Sequence, residues 1–297
     1  MKVLFTGANG FLGKNVIPLL REKKFQVKTF GTSNADYIYN ITNTIVPFEE
    51  TFDIIFHAAG KAHSIPQNKE EENLFYTVNF EGTKNLCKAL EKNIPEYFIF
   101  ISTVAVYGKD FGDDITENTA LGGYTPYAKS KILAEKFLTD WCKANNVKLF
   151  ILRPSLIAGP NPPGNLGDMI NAVKKGKYFN IAGGEARKSI FWVEDFADLT
   201  AKVIGKNSGI YNVCDSDNPS FKEISDKISN ILNKKSSASI PYFVAISLAK
   251  VGDLLGNKAP INSLRLRKIT DSLTFSNEKM KRELDFNPSN VMEKFQI

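Results

Sequence analysis

The sequence predicts an α/β protein, a doubly wound parallel sheet with a smaller C-terminal lobe. Three observations lead there. Short apolar runs alternate with segments of helical period through the first half of the chain. A glycine-rich turn follows the first run immediately. After Pro154 the texture changes: Gly159 to Gly167 is rich in proline, glycine and asparagine, and shorter elements follow it.

Lys2 to Thr6 reads as the first strand and Phe11 to Glu22 as the first helix. Gln26 to Phe30 is a second strand, and Asp53 to His57, Tyr97 to Ile101 and Lys148 to Leu152 are further strand-like runs. Amphipathic helices lie between them, including Asn79 to Lys92 and Tyr127 to Asn145. This alternation builds βαβ units, hence a parallel sheet with helices on both faces. Beyond Pro154 come Asp168 to Lys175, Phe191 to Ile204 and Phe221 to Asn233. Residues 1–155 are read as the sheet domain. Residues 156–297 are read mainly as a lobe over the carboxyl ends of the strands, where ligands of such folds bind. The whole is one compact unit in which some later strands rejoin the main sheet.

The 297 residues are 43% hydrophobic and 24% charged, ordinary for a globular chain. The net charge of +6 rests on short lysine runs such as Lys174-Lys175 and Lys234-Lys235. These do not alternate with stacking aromatics, which argues against a nucleic-acid partner; the charge suits a phosphorylated small molecule equally, and a solvated lysine surface is the plain reading for most of these residues. Three scattered cysteines without zinc spacing point to buried thiols in a reducing compartment and no metal. An N-terminus that starts on a strand, with no secretory leader, makes the cytoplasm the expected location. The apolar run Tyr242 to Val251 is interrupted by Ser247 and Lys250 and is too short for stable membrane insertion. For Tyr242 to Leu255, burial in the small lobe is expected over a place on a membrane surface.

Gly7-Ala8-Asn9-Gly10-Phe11-Leu12-Gly13 sits where a strand hands over to a helix. Gly7 permits the tight turn, Gly10 lets backbone approach a pyrophosphate, and Gly13 lets helix pack closely on strand. The helix N-terminus adds free N–H donors and a positive dipole. Residues 1–155 are therefore a Rossmann-type dinucleotide-binding domain, and the lobe is substrate-binding. The acid that often holds the ribose hydroxyls of NAD is missing from Phe30-Gly31-Thr32-Ser33-Asn34. Thr32 and Ser33 suit a 2′-phosphate, so NADP is favoured over NAD, although no arginine is nearby. Asp36 reaches the ribose only if the loop folds back.

Tyr127 and Lys131 stand four residues apart, on one helix face. A phenol with a pKa near about 10 is a poor base at neutral pH. A cation one turn away favours the phenolate, and so does an oxidised nicotinamide ring. That suits hydride transfer, in which the phenol oxygen exchanges a proton with a substrate hydroxyl. The plain alternative is a surface Tyr and Lys; the preceding glycine loop weighs against it. Ser102-Thr103 ends the strand Phe98 to Ile101, where a hydroxyl either meets the reacting oxygen or caps the next turn. His57 reads as a packing residue, and His63 as a loop residue beyond the cofactor-lining turn.

In order and nearly end to end, the motifs resemble the extended short-chain dehydrogenase/reductase family, in its NAD(P)-dependent nucleotide-sugar epimerase/dehydratase branch. The resemblance rests on the Gly7 to Gly13 loop, Phe56 to Gly60, Val78 to Thr83, Ser102-Thr103 with Val106-Tyr107-Gly108, and Tyr127 to Lys131. Arg153-Pro154, Gly159-Pro160, Trp192 to Asp195 and Lys281 to Leu284 extend it. It implies a catalytic triad of Thr103, Tyr127 and Lys131. Around the cofactor it implies Gly7, Asn9, Gly10, Phe11, Leu12, Gly13, Ala58, Ala59, Gly60, Asn79 and Pro154, besides Tyr127 and Lys131, and Thr32 and Ser33 join them from the reading of the second strand's end. For the substrate it implies Thr103, Asn165, Leu166 and a diphosphate-binding cation, Arg187 or Lys188 one register along.

The family's 4,6-dehydratases carry an Asp-Glu pair directly after the catalytic Thr. Val104 and Ala105 stand there instead, so elimination of water is not expected. Lys61-Ala62-His63 and Gly164 to Met169 are similar to bacterial N-acetylhexosamine epimerases and C4 ketoreductases of polysaccharide synthesis. The resemblance thus implies a 4-epimerase acting by hydride transfer on a UDP-hexose or UDP-N-acetylhexosamine. The alternative is a C4 ketoreductase of a UDP-4-keto-sugar, to which the missing ribose acid leans. A more distant one is a non-catalytic nucleotide-sensing protein, against which retention of both Tyr127 and Lys131 argues. A homodimer paired through the two amphipathic helices is implied by the same likeness.

Overall fold

The computed structural model describes residues 1–62, 64–255 and 262–297. Up to Pro154 the chain runs β1 (Lys2–Thr6), α1 (Phe11–Glu22), β2 (Gln26–Gly31), β3 (Tyr37–Ile38), β4 (Ile54–His57), α2 (Lys69–Tyr76), α3 (Gly82–Leu90), β5 (Tyr97–Ile101), β6 (Gly112–Ile115), α4 (Pro126–Ala144) and β7 (Lys148–Pro154). Then come β8 (Leu156–Ala158), α5 (Gly164–Lys174), β9 (Asn180–Ile181), β10 (Ile190–Trp192), α6 (Asp195–Lys202), β11 (Gly209–Val213), α7 (Phe221–Ile231), β12 (Ser239–Ile240), α8 (Tyr242–Leu255), α9 (Ser263–Thr270), β13 (Leu273–Phe275), α10 (Glu278–Leu284) and α11 (Val291–Lys294).

Seven strands form one sheet in the order β11-β7-β5-β4-β1-β2-β3, and every neighbouring pair is parallel. This is the predicted Rossmann-type sheet. Both faces are covered, which is why its strands are continuous apolar runs rather than alternating ones. Val3 and Phe5 of β1 face one layer with Val16, Phe196, Leu199 and Leu284; Leu4 faces the other with Leu86, Leu90, Ala134 and Leu138. The strand order reverses between β1 and β4, so the loops after these two strands flank the crevice where such sheets bind ligands.

Several boundaries differ from expectation for local reasons. The helix expected at Asn79 begins at Lys69, where the Asn68 side chain accepts the Glu71 N–H as its cap. It passes through a π turn at Thr77–Glu81 before continuing as α3. The stretch Phe191 to Ile204 divides into β10 and α6. Asp195 at the head of α6 accepts from the Ser289 N–H and hydroxyl, tying the C-terminal segment down. Asp168 to Lys175 gains a turn and starts at Gly164.

The chain beyond residue 156 does not all belong to the lobe. β11 pairs with β7, and α6 and α10 pack into the core of the main sheet. The lobe has its own core, where Leu166, Met169 and Ile170 of α5 meet Ile190, Trp192, Ile224 and Ile228. The segment Tyr242 to Leu255 is the helix α8, but Phe243, Leu248 and Val251 on it are exposed, against the expected burial. No described helix is long and apolar enough to cross a membrane.

Candidate active site

The glycine loop and the β4 loop meet at the switch point. Gly7 has φ +78°, and a Cβ on it would fall 2.8 Å from Ala59 N and 2.9 Å from the Ala58 carbonyl carbon. The turn therefore needs glycine for its torsion and for its contact with Ala58-Ala59. Gly10 caps α1, whose first turn contains Phe11, Leu12 and Gly13. At Gly13 a Cβ would sit 2.2 Å from the Ala8 carbonyl oxygen. Backbone cannot yield by that much, so Gly13→Ala is expected to cost about 1–3 kcal/mol and to weaken dinucleotide binding. Thermal unfolding with and without NAD(P) checks both.

Across the loop, Asn9 donates to the Ser33 carbonyl at 2.6 Å and to its hydroxyl at 3.1 Å, while Thr32 and Ser33 stay exposed. The loop does fold back at Asp36, but onto β2: its carboxylate accepts from Thr29 N and Oγ1 at 2.9 and 2.7 Å. These hydrogen bonds, helped by Lys28, hold its pKa below the usual carboxylate value. Asp36 is thus engaged with its own strand.

His57, fully buried, links the two loops. Thr83 Oγ1 donates to the Asn79 carbonyl (2.7 Å), so it accepts from His57 Nε2 at 2.9 Å. His57 Nδ1 then accepts from Thr6 Oγ1 at 2.7 Å, and Thr6 Oγ1 accepts the Ala59 N–H at 3.1 Å. Only the neutral Nε2–H tautomer satisfies this chain. Burial, with Lys131 adding to it, pushes the His57 pKa to about 3. It is the packing residue expected. His63 lies outside the described residues.

Asn79 sits inside the π turn, a feature that often marks functional sites. Its amide accepts from Lys61 N (2.7 Å) and donates to Lys61 O (3.1 Å) and Ser130 Oγ (2.9 Å). At Gly60 a Cβ would fall 3.0 Å from Asn79 Oδ1 and 3.2 Å from Lys131 Nζ. These distances bring the β4 loop, the π turn and α4 together. The cradle of glycine backbone and helix N-terminus fits a dinucleotide, because its N–H donors suit the anionic parts.

α4 begins at Pro126 because Thr125 caps it, accepting the Ala128 N–H at 3.1 Å. That start puts Tyr127 in the first turn and Lys131 on the buried face. The Tyr127 ring packs edge-on against Phe75 at 6.2 Å. Burial pushes its phenol pKa up to about 12, and a hydrogen bond with the Thr103 hydroxyl works against that. The expected direct pull of Lys131 on the phenol is not what the geometry gives. The Lys131 ammonium donates to the Ile101 carbonyl at 2.9 Å and lies 4.7 Å from the Phe100 ring centre. Burial lowers its pKa to about 8, opposed by Glu135.

Ser102 and Thr103 have divided roles. The Ser102 hydroxyl donates to Glu135 in the interior. Thr103 caps the turn Val104–Tyr107 through Ala105 N at 3.2 Å, and its hydroxyl also hydrogen-bonds Tyr127. Val104 and Ala105 offer no titratable group there.

Sequence reasoning missed Glu135 and took Arg153 only as part of the Arg153-Pro154 motif. Glu135 is 4% exposed and Arg153 3%. Arg153 donates Nε to Glu135 Oε1 at 3.1 Å and Nη2 to Oε2 at 2.6 Å, a bidentate pair, and Nη1 to Tyr107 Oη at 3.0 Å. Tyr107 in turn donates to Asn212 Oδ1 at 2.6 Å. The available signal was spacing: Glu135 extends the Tyr127–Lys131 series by another turn, beside the core residues Ala134 and Leu138.

On the lobe side, Asn165 is exposed in the first turn of α5, while the Leu166 side chain is in the lobe core, leaving only its backbone for a ligand. Arg187 is exposed and donates to the Asn218 carbonyl at 2.8 Å, with Glu223 at 3.5 Å. Lys188 is half-buried and donates to the Asp271 carbonyl at 2.9 Å. Burial lowers its pKa to about 8, opposed by Asp271 and Asp110; nearby Lys268 lowers it further. Lys268 reaches Tyr124 Oη at 3.1 Å, in the segment that enters α4. Pro154 is buried at the end of β7, in register with Val213.

Residues 3–214 match the NAD dependent epimerase/dehydratase family. The N-acetyl-alpha-D-glucosaminyl-diphospho-ditrans,octacis-undecaprenol 4-epimerase of Escherichia coli O157:H7 is 27% identical, over 94% of this chain and 88% of its own. The UDP-glucose 4-epimerase of Vibrio cholerae is 27% identical over 68% of this chain and 66% of its own. Among solved structures, UDP-glucose 4-epimerase of Thermotoga maritima with UDP-glucose superimposes with a TM-score of 0.75 at 18% identity, covering 99% of this chain and 96% of that one. RMD of Pseudomonas aeruginosa with NADPH also gives 0.75 at 18% identity, covering 99% and 96%.

Proposed function

Because this chain belongs to the NAD dependent epimerase/dehydratase family and is an enzyme, we propose that it is a 4-epimerase acting by hydride transfer at C4 of a hexose or N-acetylhexosamine carried on a diphosphate. The observation that carries this reading is the meeting of Thr103, Tyr127 and Lys131 at the end of β5, beside the dinucleotide cradle. A nicotinamide dinucleotide held by that cradle would supply a reversible hydride acceptor for C4. Tyr127 accepts the hydroxyl proton in the first half and gives it back in the second; Thr103 holds the same oxygen. Lys131 and Asn79 anchor the cofactor side, with Gly7, Asn9, Gly10, Phe11, Leu12, Gly13, Ala58, Ala59, Gly60 and Pro154 lining it. Thr32 and Ser33, with Asp36 engaged elsewhere, support NADP over NAD. Val104 and Ala105 speak against loss of water. The free, buried Cys87, Cys142 and Cys214 suit the reducing cytoplasm.

UDP is the first reading of the carrier, with Asn165 and the backbone of Leu166 on the nucleotide. A lipid carrier is the second, favoured by the Escherichia coli relative matched over nearly the whole chain, whose name gives a polyprenol-linked sugar. For the diphosphate we choose Lys188 over Arg187. Among the described residues the ammonium of half-buried Lys188 has only the neutral Asp271 carbonyl as hydrogen-bond partner, whereas Arg187 already faces Glu223 and Lys268, beside Lys188, is paired with Asp110 at 3.1 Å. Lys188→Ala is expected to raise KM about tenfold or more, the size of a lost charge-assisted hydrogen bond, and Arg187→Ala to raise it far less. Steady-state kinetics with both variants decide.

The main test is incubation with UDP-N-acetylglucosamine, UDP-glucose and their polyprenyl-diphosphate counterparts, followed by chromatography of the 4-epimers. Appearance of either epimer without net consumption of NAD(P)H supports the proposal. Stoichiometric NADPH consumption with a 4-keto sugar, and no epimer, makes the enzyme the C4 ketoreductase instead.

A further inference from the structure

The helix α8 is built the wrong way round for burial. Its small residues Ala245, Ala249 and Gly252 face inward, where the alanines pack on Leu266 of α9. Its large ones face out: Phe243 is 70% exposed, Val251 58% and Leu248 53%, with Val244 beside them. At about 100° per residue these four share one arc of roughly 140°. A helix covered only by water would turn that arc to the core.

Exposed lysines lie on α8 and on the segments that lead into the strands packed beneath it. Lys250 lies at the edge of the arc. β12 leads into α8 and pairs with β9, Ser239 opposite Asn180 and Ile240 opposite Ile181. Lys174, Lys175 and Lys177 precede β9, and Lys234 and Lys235 precede β12, so both groups lie toward the same end of the short parallel sheet whose Ile181 and Ile240 pack under α8. All six lysines are exposed, and none forms an ion pair among the described residues. Phe179, 49% exposed, adds an aromatic beside them. The nearest acid on α8, Asp253, is engaged by Ser263 through its N–H (2.9 Å) and hydroxyl (2.5 Å).

We propose that α8 seats this enzyme on an anionic lipid bilayer, with Phe243, Val244, Leu248 and Val251 entering the acyl boundary and the six lysines meeting the headgroups. An apolar stripe flanked by lysines, on a helix too short to span, is the pattern of an interfacial helix. Charge separates this occupant from a second copy of the chain. A symmetric pair would press six unpaired lysines against six more, whereas an anionic surface neutralises them. α8 packs on α9, whose Lys268 bonds Tyr124 at the entrance to α4. The docked helix is therefore joined through α9 to the segment that enters α4, and the membrane that seats it is the one from which a sugar diphosphate on a lipid carrier would arrive. That last step rests on the proposed function; the docking itself does not.

Flotation of the purified full-length protein tests it, with vesicles of phosphatidylcholine alone and of phosphatidylcholine mixed with phosphatidylglycerol. The protein is expected to float with the anionic vesicles at least about tenfold more strongly than with the neutral ones, less so at high salt. F243D/L248D is expected to lose about a hundredfold in binding while keeping its circular dichroism and its thermal shift with NAD(P). Tyr127→Phe should float like the parent, which keeps failure of docking distinct from failure of catalysis. Absence of flotation at low salt, or equal flotation of F243D/L248D, overturns the proposal. So does a lipid-free dimer, seen by light scattering, that F243D/L248D converts to monomers, because the stripe would then be an interface between copies.

Discussion

Replacing Tyr127 with phenylalanine is expected to lower kcat by about 10²- to 10⁴-fold, the range a positioned acid/base contributes, with the unfolding midpoint and NAD(P) affinity nearly unchanged. The ring stays packed on Phe75, and only the hydroxyl facing Thr103 is lost. With its pKa near about 12, that phenol is neutral through the physiological range. The resting site therefore holds a proton donor, and the oxidative half of an epimerisation needs it turned into an acceptor. Thr103 already works in that direction, and the positive charge of an oxidised nicotinamide ring would add to it. Turnover within a factor of two of the parent would remove it from the mechanism.

The pH dependence has a definite sign. The folded pKa of Lys131 is lowered to about 8 by burial, so its ammonium is lost as pH rises past that value. If the charge anchors cofactor or substrate, kcat/KM should fall on an alkaline limb near pH 8. Stability moves the other way over the same window. The unfolded chain binds more protons at this lysine between about 8 and its ordinary 10.5, so this group's contribution favours folding as pH rises there. Tyr127, raised from 10 to about 12, acts against folding above pH 10, where the unfolded phenol ionises first. Activity and stability profiles that part company above pH 8 are the expected result.

Local features carried most of the fold and part of the site. The strands show because β1, β4, β5 and β7 are buried on both faces and so are apolar at nearly every position. The loop shows because Gly7, Gly10 and Gly13 each answer a backbone contact that forbids a side chain or needs a close approach. What stayed hidden depends on partners distant in the chain. The π turn that aims Asn79 leaves no mark on the apolar period of the helix it interrupts. The loop acid Asp36 could be read as a ribose ligand until Thr29, seven residues earlier, was seen to hold it. Arg187 and Lys188 are neighbours in sequence, and only the sites of Asn218, Glu223 and Asp271 tell them apart. α8 misled for the opposite reason: its apolar run reads as buried, but the alanine side, not the large apolar side, meets the lobe.

Glu135→Gln is expected to cost about 3–5 kcal/mol of stability, because it leaves the Arg153 guanidinium buried without its counter-charge. Urea unfolding should register that as a lower midpoint at unchanged slope. Surface pairs such as Lys69–Glu72 are worth only about 0–1 kcal/mol, so the same substitution at Glu72 is the control. The variant should also act on chemistry through Lys131. Glu135 is the group that keeps the Lys131 pKa from falling further, so its neutralisation should move the alkaline limb of kcat/KM to lower pH. Removing both charges separates the two effects. E135L/R153M takes away the unpaired ion and should regain most of the lost stability. It cannot restore the partner of the Ser102 hydroxyl at the end of β5 or the negative charge near Lys131. Its activity profile should therefore stay displaced while its midpoint returns. If both recover together, the pair serves the core alone; if the limb stays shifted in a stable protein, Glu135 positions the charge on which the site depends.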